Sequence, residues 1–303
     1  MAPEPLIAWP KPLIELLEFV GVFLAAGAVG FRYAVLRGRL ALANPGDTGL
    51  LGGVSGAAAR RAAGIGALGA VLIAMRIAFA LPGLAARNHT SISQVVLSTP
   101  AVTLWVALTV AALLGFLLAR ASAPRAYTLG WVLAGIGIVG GTLRNGLVGQ
   151  WTRLVNPIHL LAAGLWIGTL FVLVVAGLTA VRHAKGDRAG AIVADMVNAF
   201  SPLALACGAT VVLFGVITAW QHLKALSNLW TTPYGYALIA KLCVVAMVFA
   251  LGAWNWRRQR PSLGSEVAAA SIRRSATAEL AVATTVLIIT SILVSLPTPK
   301  PPV

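Results

Sequence analysis

Long apolar runs separated by short polar connections dominate this chain. Eight of them reach the roughly 20 residues that an α-helix needs to cross a bilayer core. They fall near 12–36, 62–82, 99–119, 127–149, 155–180, 200–222, 235–256 and 276–296. The connections carry Gly, Pro, Ser and charged residues, as loops do. The longest, 37–61, is glycine-rich and ends in Arg60 and Arg61. The pattern predicts an all-α polytopic membrane protein, an eight-transmembrane-helix bundle. It divides into a four-helix half over 1–150 and a second four-helix half over 151–303. The start, "MAPEPLIAWPKPLIELLEF", lacks the basic region of a secretory signal and is read as a retained first helix.

Composition fixes the environment. The 303 residues are 59% hydrophobic and only 10% charged, too few charges to cover a water-facing surface. The net charge of +15 does not point to nucleic acid, because the basic residues lie between apolar runs and not in one patch. They alternate by side instead. The connections after the first, third, fifth and seventh spans hold 15 Lys and Arg, and the opposite side holds 6. Positive-inside bias then predicts both termini outside, with the odd-numbered connections in the cytoplasm. Cys207 and Cys243 lie inside apolar runs without CxxC spacing and read as inert thiols.

Polar residues at depth carry the candidate chemistry. With this topology His89, His159 and His222 lie toward the outer face, and His183 lies in a cytoplasmic loop. His159 is one turn into the fifth span and shares a helix face with Ala162, Ala163 and Trp166. His222 ends the sixth span and shares a face with Ala219, Thr218 and Gly215. Both imidazoles have small neighbours, and two antiparallel spans are expected to bring them to similar depth. The pattern fits a two-histidine metal site, a haem site flanked by Trp166, or two interfacial histidines bonded to backbone or water.

Four more ionisable groups enter the spans: Glu15 and Glu18 in the first, Arg76 in the second and Lys241 in the seventh. Charges at such depth are costly and are usually paired or functional. Glu–Arg and Glu–Lys pairing between helices, with Lys241 snorkelling outward, is the expected outcome. A carboxylate-lined ion path is the alternative. Glu279 is expected near the positive start of the eighth helix, where the dipole favours a carboxylate. The Gly164–Gly168 GxxxG predicts close helix packing. No Walker loop, HExxH, zinc-spaced His/Cys cluster or Ser-His-Asp set occurs, so no catalytic residue and no enzyme activity are predicted.

The second half carries "NPIHLLAAGLWIGTL", "NAFSPLALACGATVVLFGVITA", "LWTTPYGYALIAKL", "ALGAWNWRRQRP" and "IRRSATAEL", in that order over about 155–297. In these segments it resembles the copper resistance D (CopD) domain family of bacterial integral membrane proteins. The resemblance implies an eight-helix inner-membrane protein of copper uptake or handling, beside a periplasmic copper-binding partner of the CopC type. It singles out His159, Trp166, Tyr234, Gly235, Lys241, Asn255 and Glu279. One departure stands out. Many members carry Gly-His-Ala near the outer end of the fourth span, where this chain reads "GGTLRNGLVGQW" with Arg144 and Asn145. The expected function is copper transport or handling, with copper received at the outer face through histidines. A b-type cytochrome using His159 and His222 as haem b ligands and a non-catalytic scaffold subunit of a membrane complex are the alternatives.

Overall fold

The computed structural model describes residues 9–36, 53–181, 188–259 and 266–299. The glycine-rich stretch 37–52 and His183 lie outside the described residues. Among the described residues, eight helices are long and apolar enough to cross a membrane. Span 1 is Lys11–Val35, span 2 Gly53–Arg87, span 3 Pro100–Leu118 and span 4 Pro124–Leu147. Span 5 is Thr152–Val181, span 6 Ala191–Leu223, span 7 Pro233–Asn255 and span 8 Arg274–Leu293. No strand occurs among the described residues.

Small residues set how closely the helices approach. In lipid, apolar faces gain nothing by choosing protein over acyl chains, so close backbone contact decides the packing. Ala25, Ala26, Ala28, Ala58, Ala59, Ala62 and Ala63 are essentially fully buried. A Cβ on Gly21 would stand 2.8 Å from the Gly69 carbonyl oxygen, which brings spans 1 and 2 together. Gly115, Gly130 and Gly137 do the same for spans 3 and 4. The GxxxG of span 5 faces span 1. A Cβ on Gly168 would collide with the Phe23 carbonyl, and one on Gly27 with the Gly168 backbone.

The main buried cluster joins spans 1 to 5 and the first turns of span 6, around Phe31, Phe116, Trp131, Leu173 and Met196. It therefore crosses the 150/151 position. Half of the most apolar stretch of span 5 is buried, against 17%, 11% and 22% in spans 6, 7 and 8. Span 5 is thus an axial helix, and the last three spans form a thinner outer layer. A second small cluster, Leu223, Tyr234, Leu238 and Leu293, joins their ends.

Span 5 is not a uniform α-helix. It changes to π geometry over Gly164–Gly168 and again over Leu173–Gly177. The wider i→i+5 turns shift every later side chain around the axis. Trp166 still faces span 6 below His159: a Cβ on Gly208, seven residues before Gly215, would lie 3.8 Å from its ring. It also packs on Phe249 of span 7, with ring centroids 4.9 Å apart.

Candidate functional site

His159 lies seven residues into span 5 and is half-buried. Its Nδ1 is 2.9 Å from the Val211 carbonyl oxygen on span 6. A carbonyl only accepts, so this bond places the proton on Nδ1 and leaves the Nε2 lone pair available. An imidazole used as a metal ligand is commonly oriented in this way. Space for the ring comes from Gly215, where a Cβ would stand 3.0 Å from its Cε1. Lys241 of span 7 is close enough for its charge to act on the ring. Lys241 is half-buried beside this interface and makes no ion pair with a glutamate among the described residues. The Glu–Lys pairing expected from the sequence does not form.

His222 occupies a different level. Its Nδ1 is 2.8 Å from the Thr218 carbonyl oxygen of its own helix, and its ring stacks on Tyr234 at 6.3 Å between centroids. Val211 and Thr218 are seven residues apart, so the two anchoring carbonyls differ in height by roughly 10 Å. The expectation that both histidines share one depth is corrected by this spacing. Sequence distance from a span end does not reveal where two helices are in register. A porphyrin between spans 5 and 6 would need a gap, and the His159 ring lies directly on the span 6 backbone. Tyr234 itself is buried, and Gly235 behind it lies where a Cβ would strike the Asn228 and Leu229 carbonyls.

The third histidine expected at the outer face stands apart. His89 is on an exposed turn after span 2, with φ of 51°. The short helix Ile92–Ser98 follows, capped by Ser91 and Gln94. No bond from His89 to His159 or His222 forms among the described residues. Nor does any group of three or more His, Cys, Asp or Glu positioned to hold a metal occur there.

The Glu–Arg pairing forms as expected, with one addition. Arg76 donates to Glu15 at 2.9 Å and lies 3.7 Å from Glu18. Arg144 of span 4 completes the set, 3.6 Å from Glu18, and donates to the Gly141 carbonyl at 2.7 Å. Both guanidinium groups flank Trp105 of span 3, at 3.9 Å for Arg144 and 5.7 Å for Arg76. One network therefore ties four spans. Arg144 stands in the stretch that lacks the Gly-His-Ala, and here the position carries a structural cation. Trp105 was not singled out by sequence. An aromatic in an apolar run gives no signal until two cations are placed beside it.

Near the opposite end, Asn255 of span 7 donates a short hydrogen bond to Glu279 of span 8. The last helix begins at Glu266, so Glu279 lies more than three turns inside it. A helix dipole acts within the first turn only, so the dipole explanation for Glu279 is overturned. The asparagine amide is its partner.

The fold and these pairings define an all-helical, multi-pass membrane protein whose titratable groups meet between helices. Residues 194–293 match the family model described as "Copper resistance protein D". Through this segment the chain is similar to the copper resistance D family. His222, Tyr234, Lys241, Asn255 and Glu279 fall inside the match, while His159 and Trp166 precede it. Over 152 residues the chain is 28% identical to "Copper transport protein CutJ" of Bacillus subtilis (strain 168). That stretch is 49% of this chain and 26% of the relative, so the chain spans about a quarter of that protein's length. No solved structure matches the chain.

Proposed function

We propose that the protein moves or hands on copper across the cytoplasmic membrane, receiving it at the outer face through His222 and then His159. The observation that carries this reading is the His159 imidazole, fixed by its Nδ1 to Val211 with Nε2 left as donor, in the spans beside the copper resistance D segment. His222, at the end of span 6, is the outer station, and His159 lies about two turns deeper. Imidazole nitrogen suits copper in either common oxidation state. The ion is cargo in this scheme and passes from one donor to the next. Lys241 beside His159 would oppose a resting cation, which favours passage over storage. A periplasmic copper protein of the CopC type is the proposed donor, and both termini are proposed to face that side.

Copper content of the purified full chain tests this, after loading and washing in detergent. His159→Ala is expected to lose retained copper, and His222→Ala to slow loading with a smaller loss at equilibrium. Copper content and loading rate equal to wild type in both variants would remove the histidines from the path. Identical complete loss in both would replace two stations with one shared ion.

A further inference from the structure

At the end of the bundle opposite the histidines, spans 2 and 3 leave an open groove of about 400 Å³. Ala57, Arg60, Arg61, Gly64 and Arg120 line it. The three arginines are exposed. Arg60 and Arg61 lie two turns into the span 2 helix, and Arg120 lies two residues beyond the end of span 3. The groove therefore sits at the membrane edge. Its floor is open because Ala57 and Gly64 are small; a Cβ added at Gly64 would meet nothing within 4 Å. Just membrane-ward, Phe116 fills the space at Gly66 and closes the spans together.

The residues that continue this face into the membrane are apolar and exposed. Leu68 and Val71 follow Gly64 at i+4 and i+7, which places them on its face. They are 54% and 40% exposed. Leu117 and Leu114 continue back from Arg120 and are each 50% exposed. A basket of guanidinium groups above a strip of bare aliphatic side chains matches an amphiphile with an anionic head and acyl chains. Guanidinium forks match phosphate oxygens in geometry as well as charge. Basic pockets between spans near the membrane surface are suited to anionic lipid head groups. A free phosphate would use the arginines but not the aliphatic strip.

We infer that this groove binds the phosphate of an anionic phospholipid, with its chains lying along spans 2 and 3. The inference does not depend on the copper reading.

The test uses the full chain, delipidated in a neutral detergent and examined by native mass spectrometry and thermal unfolding. The probes are phosphatidylglycerol, phosphatidylcholine of the same chains, and glycerol phosphate. Phosphatidylglycerol is expected to stay bound and raise the Tm, and the other two are not. Two arginines are lost in Arg61→Gln with Arg120→Gln, which is expected to weaken phosphatidylglycerol about thirtyfold, at about fivefold per removed cation. The single variants should each show the smaller step, so the result survives if the double variant folds poorly. Arg87→Gln with Arg153→Gln removes the same charge at the other end and should leave binding unchanged. Undiminished phosphatidylglycerol binding in the site variants would overturn the inference. So would equal weakening by the control pair, or glycerol phosphate binding as tightly as the lipid.

Discussion

Gly215 lies flat against the imidazole of His159, so close that a Cβ there would stand 3.0 Å from the ring's Cε1. The glycine thereby determines where the ring rests, because any side chain at 215 competes with it. Gly215→Ala is expected to shift the ring by a few tenths of an ångström and keep most copper retention. Gly215→Val should drive the imidazole off the Val211 carbonyl and lower copper retention as far as His159→Ala does. Metal analysis of the washed proteins checks this, and full retention in Gly215→Val would separate the glycine from the site.

Glu18 and Arg144 should behave as a coupled pair. Either single change leaves an opposite charge without its partner in a mostly enclosed site, where such losses cost about 3 kcal/mol. Glu18→Gln and Arg144→Gln are each expected to lower the Tm in detergent. The double variant should lose less than the sum of the two, and strict additivity would mean that the pair contributes no coupling.

Gly168 meets the backbone of span 1 and has no flexible side chain to push aside. Gly168→Ala is therefore expected to destabilise by about 1–3 kcal/mol, the range for overpacking. Gly83, where a Cβ would meet nothing within 4 Å, should accept alanine with little change. Parallel thermal unfolding compares the two, and equal Tm values would refute the close contact of spans 1 and 5.

Asn255 and Glu279 tie span 7 to span 8 at the end remote from His222. Asn255→Leu is expected to leave the carboxylate without its donor and cost about 1–3 kcal/mol. Glu279→Gln keeps a hydrogen-bonding partner and should cost less. Chemical unfolding of both variants reads the difference; a milder effect for Asn255→Leu would place the carboxylate's support elsewhere.

Several features were legible before any folding. Glu15, Glu18 and Arg76 are isolated charges in apolar runs, and the cost of burying one alone made a pairing foreseeable. Arg144 was not, because it stands near a span end where water offers an equally good partner. Its stack on Trp105 exists only once spans 3 and 4 are brought together. The two histidines were identifiable as outer-face residues, but their relative height was not. That height depends on how far span 5 slides along span 6.

The sequence by itself determined the number of spans and the helical class. These follow from a fixed rise per residue and from the apolar length that a bilayer demands. Tertiary structure decided which polar groups meet: His159 with Val211, Arg144 with Glu18, Asn255 with Glu279. Apolar residues facing lipid and those facing protein look alike in sequence, because both surroundings are equally apolar. Rotation and axial shift come instead from backbone contacts at Gly21, Gly27 and Gly168 and from the π turns of span 5. Those contacts become visible only when the helices are set side by side.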